Sequence, residues 1–319
     1  MAFYTGMISR GSSGDTAMAA AFGLAAFAVL SWGITPAITA FQVTELPALQ
    51  GGMMRSVMAV PPALFCIWWL KLKLPTDQTT WMWLILAGFA AFCGFPILFT
   101  LGIARTSTAH AALILACMPV ISGALGAMLD RRMPSPGWLA GAAIAMAGEV
   151  VLITARDSSG EATLSGDLLC IAAAIISGSG YVAGSRATAK IGTWSTTFWG
   201  VTIAGLTQVP VLAWLALDVD WAGVGWVGWS STLYMVMFST VLAYAAWYWA
   251  LNHGSLARIA PVQFSQPLVS LVFAVLLLNE AITLPIAVST AMILSGIVLA
   301  SRAQRLPKHL SKQMSSGEK

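Results

Sequence analysis

Three ionisable side chains lie inside long apolar segments, where a charged group is costly and is therefore a candidate for function. They are Arg55, His110 and Glu149. His110 can titrate near neutral pH, which makes it a candidate proton carrier, with a polar residue at the membrane surface as the plainer alternative. Arg55 and Glu149 are expected at similar depth and could pair. The plainer interpretation for them is a structural ion pair or side chains that reach the membrane surface.

Aromatic residues form two stripes at helical spacing, each on one face of its segment. The stripes are Phe92, Phe95 and Phe99 in one segment and Tyr244, Trp247 and Tyr248 in another. Such stripes are as compatible with packing or lipid contact as with ligand binding. The neutral hydrogen-bonding side chains that could join them are Ser31, Trp32, Tyr181, Gln263 and Gln266. A cavity of aromatic rings and amides would suit a neutral or zwitterionic solute.

No cofactor and no metal ion is expected from the residue pattern. The four cysteines lie in apolar stretches without a CxxC pair, which is typical of small buried side chains, and the three histidines are far apart. The chain carries no HExxH, GxSxG or phosphate-binding loop pattern, so neither proteolysis within a membrane nor ATP-driven pumping is supported.

The composition places these residues in a membrane protein. Of 319 residues, 58% are apolar and 9% are charged, and the mean hydropathy is +0.81, whereas soluble domains average about 25% charged residues. Apolar segments of this length cross a bilayer as helices. The predicted spans are 17–40, 47–70, 81–102, 107–129, 137–154, 164–185, 196–217, 226–250, 258–278 and 284–301. The sequence therefore predicts an all-α membrane protein of ten transmembrane helices, with a polar tail over 1–16 and a basic tail over 302–319.

The distribution of Lys and Arg predicts the orientation of the chain. Thirteen of these residues fall in the tails and in the loops on the same side as the tails, and only Arg105 and Arg156 fall in the loops opposite. Both termini are expected in the cytoplasm, in a multi-pass protein of a bacterial-type inner membrane.

An internal repeat divides the chain into two halves. At a constant separation of 148 residues Trp81 matches Trp229 and Pro119 matches Pro267, and spans 3–5 match spans 8–10 without a gap. A five-helix repeat places its second copy upside down, so we predict two inverted repeats over 17–154 and 164–301. The prolines inside spans, including Pro119 and Pro267, should bend or loosen their helices and free carbonyl groups.

Several segments taken together resemble a known family over about residues 17–302. They are Leu30-Ser31-Trp32-Gly33, Arg55, Ala104-Arg105-Thr106-Ser107, Pro119, Ala243-Tyr244-Ala245-Ala246-Trp247, Pro267 and Leu277-Leu278-Asn279-Glu280. The set resembles the drug/metabolite transporter superfamily, in its ten-helix EamA-type branch. The resemblance implies an exporter of amino acids or other small metabolites, with a central cavity lined by helices 1, 3, 4, 6, 8 and 9.

These observations favour a secondary transporter that exports a neutral or zwitterionic metabolite by alternating access, rather than an enzyme. A membrane-embedded enzyme acting on lipid or isoprenoid substrates is the alternative, and a structural membrane subunit is a third. Proton exchange and facilitated diffusion both stay open. The expected partners are a small-molecule substrate and the lipid bilayer, with no nucleic acid, and the chain is expected to be monomeric. The candidate substrate-binding residues are Trp32, Phe95, Phe99, His110, Pro119, Tyr181, Tyr244, Trp247, Tyr248, Gln263, Gln266 and Pro267.

Overall fold

The computed structural model describes residues 5–131, 133–154, 162–254 and 259–303, and the architecture over these residues is helical. Ten helices follow one another along the chain. Their bounds are α1 Thr5–Glu45, α2 Ala48–Leu70, α3 Gln78–Ile103, α4 Thr108–Leu129, α5 Pro136–Thr154, α6 Leu164–Ile191, α7 Thr193–Asp218, α8 Trp226–Leu251, α9 Gln266–Leu278 and α10 Leu284–Ala303. Within the described part of the chain, nine of these are long and apolar enough to cross a membrane, and α9 is a shorter apolar helix.

Two helices begin far from their predicted starts. Helix α1 begins at Thr5, so most of the segment expected as a polar tail continues the first helix. Helix α9 begins at Gln266, because Pro261 and Pro267 each lie in the first turn of a separate helical piece, and a 3₁₀ segment over Ala260–Ser265 precedes it. Of the predicted basic tail over 302–319, only the first two residues lie within the described part of the chain.

The backbone confirms the two inverted repeats in the predicted register. Helical segments begin at Gln78 and Trp226, at Met118 and Gln266, and at Pro136 and Leu284, and each pair is separated by 148 residues. The same separation relates two left-handed residues that follow α4 and α9, Arg131 with φ 52° and Asn279 with φ 55°.

The packing of the helices repeats as the symmetry requires. Helix α1 packs along α8, and its counterpart α6 packs along α3, so each half inserts its first helix against the third helix of the other. Helices α5 and α10 form a close pair. In that pair a Cβ built on Gly296 would lie 2.5 Å from the Gly141 carbonyl oxygen, a distance that only glycine permits.

We call the membrane face at which α1 ends the first face. At this face two carboxylates bind the first turns of neighbouring helices. Glu45 accepts the N–H of Gly228 at 2.6 Å in the first turn of α8. Glu280 accepts the N–H groups of Thr108 and Ala109 at 2.7 and 2.9 Å in the first turn of α4. The free N–H groups of a helix start favour a negative partner, so both helices are anchored here. At the opposite, second face Asp130 after α4 forms an ion pair with Arg186 on α6.

Several helices are interrupted near the middle of the bundle. Wide π-helical turns over Ala90–Gly94 in α3 and Met235–Leu242 in α8 occupy equivalent places in the two repeats. Helix α4 breaks at Cys117, just before Pro119. Such turns leave carbonyl groups outside the regular hydrogen-bond ladder and are often found at functional sites.

Candidate functional site

A central cavity of about 680 Å³ lies between the two repeats, and nine of the ten helices contribute to its lining. The volume is typical of sites for small molecules. The lining combines aromatic rings with hydroxyl groups, two glutamines and one guanidinium. It therefore offers an apolar wall with a small number of directed polar groups.

The cavity reaches the second face and is closed toward the first. Thr188 and Thr193, on either side of the turn from α6 to α7, line its open end. At the other end Phe99 is only 1% exposed and stacks on Phe95 with ring centroids 5.4 Å apart. The lining of the cavity thus extends to the second face and stops short of the first.

The charged group of the cavity is Arg55, which lies on α2. Its Nη2 donates to the Ser239 hydroxyl at 3.1 Å and its Nε donates to the Thr240 hydroxyl at 3.3 Å. The guanidinium carbon also lies 5.9 Å from the centroid of the Phe95 ring. All of these partners are neutral, and no carboxylate among the described residues forms an ion pair with Arg55. A guanidinium with unused donors at a cavity wall is suited to bind a carboxylate.

Ser239 of α8 connects α1 and α2 beside the Arg55 guanidinium. Its hydroxyl lies 2.9 Å from the Thr35 hydroxyl of α1, and its carbonyl oxygen accepts the indole N–H of Trp32 at 3.0 Å. The π-helical turn of α8 explains why a main-chain carbonyl is available here. In the other repeat, the π-helical turn of α3 similarly leaves the Phe92 carbonyl to accept from Gln208 at 3.1 Å.

An aromatic group lines the wall beside Arg55. The Trp32 ring makes edge contacts with Tyr244 and Trp247 at centroid distances of 5.2 and 5.6 Å, and Tyr244 lies 6.0 Å from Phe92. The electron-rich faces of such rings attract cations as well as apolar groups.

The symmetric prolines lie at the cavity, as do the two glutamines. Pro119 and Pro267 each occupy the second position of a helical segment and cannot donate to the carbonyl four residues earlier. Those carbonyls belong to Leu115 and Gln263, which both line the cavity. The second helical segment of α4 and the whole of α9 therefore both begin at the cavity wall.

Most of the candidate residues predicted from sequence lie together in this cavity. Those that line it are Trp32, Phe95, Phe99, Pro119, Tyr181, Tyr244, Trp247, Gln263, Gln266 and Pro267. The Tyr248 side chain lies outside the described part of the structure. His110 lies apart from the cavity, in the first turn of α4, where its Nδ1 is 3.2 Å from an Asp167 carboxylate oxygen.

Arg55 and Glu149, which were considered as a pair, do not pair. Arg55 faces the cavity from α2, whereas both carboxylate oxygens of Glu149 are buried on α5, where no N–H or O–H group of the described residues donates to them. Similar depth in the membrane does not determine the direction in which a side chain points around its helix. Sequence reasoning also missed Ser239, whose role depends on the π-helical turn and has no signal of its own in the sequence.

Comparison with known proteins gives a consistent assignment. The model of the EamA-like transporter family matches residues 19–154 and 164–302. A probable amino-acid metabolite efflux pump of Salmonella typhimurium is 25% identical over 292 residues, which are 86% of this chain and 93% of that protein. The uncharacterized transporter YdeK of Bacillus subtilis is 25% identical over 202 residues, 62% of this chain and 68% of its own length. A crystal structure with 20% sequence identity superposes with a TM-score of 0.61 over 90% of this chain and 97% of that one, which shows the shared fold.

Proposed function

The chain belongs to the EamA-like transporter family within the drug/metabolite transporter superfamily, and we propose that it exports a small zwitterionic metabolite of the amino-acid class. Its relatives are named as transporters, one of them as a probable efflux pump for amino-acid metabolites. The proposal specifies a substrate class and a direction for this chain.

The observation that carries the proposal is the guanidinium of Arg55, which has no carboxylate partner among the described residues and lies in an otherwise neutral cavity wall. Its two hydrogen bonds to Ser239 and Thr240 orient it and leave other N–H groups free for a ligand. A carboxylate that reaches it would form charge-assisted hydrogen bonds, which contribute about 1.5–3 kcal/mol each. A neutral solute would leave the buried charge without a counter-ion.

The aromatic residues beside Arg55 provide the second part of the proposed substrate recognition. Trp32, Tyr244 and Trp247 are close to one another and lie on helices that also line the Arg55 side of the cavity. Their rings can bind an ammonium group through cation–π attraction or an apolar side chain by contact. Carboxylate recognition by Arg55 and cation or side-chain recognition by these rings together fit an amino acid.

Alternating access follows from the inverted repeats. The two repeats can exchange conformations, so that the cavity closes at the second face and opens at the first. We place the second face, where the cavity opens, in the cytoplasm, because the loops predicted to be rich in Lys and Arg lie there. In this orientation the described conformation receives substrate from the cytoplasm, as export requires.

A thermal-stabilisation screen of the purified protein tests the substrate class, because a ligand that binds only the folded state raises its apparent stability. The panel pairs amino acids with the corresponding amines that lack the carboxylate. We expect amino acids to stabilise the wild type and the amines to have no effect. In Arg55→Gln, but not in Arg105→Gln at the first face, stabilisation should be lost. Equal stabilisation by both solute classes would refute carboxylate recognition.

A further inference from the structure

A second group of ionisable side chains lies buried at the closed first face, outside the cavity. His110 is 5% exposed in the first turn of α4, and Asp167 is 0% exposed in the first turn of α6. The His110 Nδ1 lies 3.2 and 3.3 Å from the two Asp167 carboxylate oxygens. Thr106 donates its hydroxyl to Asp167 at 2.5 Å. Asp167 therefore has an acid–base partner and a neutral donor in place.

Glu149 on α5 completes the group. It is 6% exposed, and among the described residues no N–H or O–H group donates to its carboxylate oxygens, beside which lies only the neutral thiol of Cys117. The buried core on this side joins α5 to α4 and α6, since Leu152, Cys117 and Cys170 pack in one cluster. An ionised carboxylate buried without a partner is costly, whereas the protonated form is neutral. In this conformation Glu149 is accordingly suited to hold a proton.

Within the described part of the chain, the other ionisable groups around Glu149 do not supply a counter-charge to it. The nearby thiols belong to Cys117 and Cys170. The Glu280 carboxylate is engaged by the first turn of α4. Arg105 directs its guanidinium to the Leu101 carbonyl at the surface. Helices α9 and α10 carry no charged residue except Arg302, at the far end of α10.

His110, Asp167 and Glu149 connect the two repeats at the first face, which must open during transport. His110 and Glu149 belong to the first repeat and Asp167 to the second. The first turn of α6 is also packed tightly against the connection between α3 and α4, since a Cβ on Gly166 would lie 2.6 Å from the Arg105 carbonyl oxygen. Opening of the first face has to part these contacts, and it would admit water to both carboxylates.

We propose that His110, Asp167 and Glu149 form a proton-binding site, and that closing the first face takes up one proton from the compartment on that side. When the face opens, Glu149 becomes hydrated, ionises and releases its proton to that compartment. When the face closes, Glu149 takes a proton back and is buried in its neutral form. The inference rests on the proposed alternating-access function, because it requires an open state of the first face.

The proton linkage has a definite sign and size. Since the open state holds one proton fewer, the ratio of open to closed molecules rises with pH, by at most about tenfold per pH unit for a single proton. Low pH on the first face favours closure.

Spin-label distance measurements on the full chain in lipid test this linkage without any substrate. Labels at the exposed positions Thr44, near the end of α1 in the first repeat, and Leu164, at the start of α6 in the second, would report the separation of the two repeats at the first face, in a background in which the four native cysteines are replaced. We expect a population with a longer distance to grow between about pH 5 and pH 8. Glu149→Gln, which cannot ionise, should lose this growth and stay at the short distance. Glu149→Asp and the exposed control Asp218→Asn should retain it.

Two results would overturn the proposal. One is a distance distribution in the parent protein that does not change with pH. The other is a pH response that persists unchanged in Glu149→Gln. Neither result bears on substrate binding, which the thermal-stabilisation screen measures separately, so failure of the proton linkage can be told apart from failure of the proposed transport function.

Discussion

The Arg55 guanidinium of α2 and the Ser239 hydroxyl of α8 are joined by a hydrogen bond of 3.1 Å, which links the first repeat to the second inside the cavity. The bond orients the charge that is proposed to bind the substrate carboxylate. Because it crosses between repeats, a rocking motion of one half against the other changes its geometry. Substrate recognition and the change of access are thus connected at one pair of residues.

Removal of the Ser239 hydroxyl should weaken binding without abolishing it. In Ser239→Ala the Arg55 side chain stays in place through Thr240 but loses one orienting partner. A hydrogen bond from a charged guanidinium contributes about 1.5–3 kcal/mol, so we expect a loss of affinity of roughly tenfold or more. Ligand titration by thermal shift measures the change. Ser179→Ala, whose hydroxyl bonds to its own helix, is the matched control, and an equal loss in both variants would contradict the assignment.

The indole of Trp32 should contribute through its N–H as well as through its ring. Trp32→Phe keeps an aromatic ring beside Tyr244 and Trp247 but leaves the Ser239 carbonyl without its donor. We expect a several-fold decrease in substrate affinity, corresponding to about 1 kcal/mol. Trp68→Phe changes an exposed ring at the end of α2 and should have no effect. Equal affinities for the two variants would show that the indole N–H is unimportant.

Close packing of α5 against α10 should make Gly296 intolerant of a methyl group. In Gly296→Ala the new Cβ would approach the Ala145 amide nitrogen and the Gly141 carbonyl oxygen to 2.5 Å. We expect destabilisation by about 1–3 kcal/mol, measured as a lower midpoint of thermal unfolding. The control Gly23→Ala in α1 meets no atom within 4 Å and should leave stability unchanged or slightly higher. A Gly296→Ala variant as stable as the wild type would argue against this interface.

The Glu280 carboxylate should stabilise the start of α4. Glu280→Gln removes the negative charge from two N–H groups at the helix start, so we expect a loss of about 0.5–2 kcal/mol in stability. Asp218→Asn, at an exposed carboxylate of the same face, should be neutral. Hydrogen exchange of the α4 amides identifies the site of the effect, and exchange that rises elsewhere but not in α4 would contradict it.

The sequence predicts the overall architecture because the relevant signals are local. Prolines such as Pro119 and Pro267 break helices wherever they occur, and long apolar segments separated by short loops determine the number of spans. The repeat separation of 148 residues is visible in these residues and in Trp81 with Trp229. The same separation relates helix starts and left-handed turns in the structure.

The site is predicted less completely, since it depends on which way each helix faces. Depth alone suggested a relation between Arg55 and Glu149, but neighbouring helices direct one to the cavity and the other to the closed face. The partnership of His110 with Asp167 joins residues on different repeats. The π-helical turn that makes the Ser239 carbonyl available has no proline or glycine within it, so only the packed structure reveals it.

Counterflow in proteoliposomes tests whether Arg55 recognises the substrate carboxylate during transport itself. Vesicles containing the purified protein are loaded with an unlabelled amino acid, and uptake of the same labelled compound is followed at equal pH on both sides. We expect saturable counterflow of amino acids, no counterflow of the matching amines, and loss of activity in Arg55→Gln but not in Arg105→Gln. Counterflow that is indifferent to the solute's carboxylate, or that persists unchanged in Arg55→Gln, would contradict this role of Arg55.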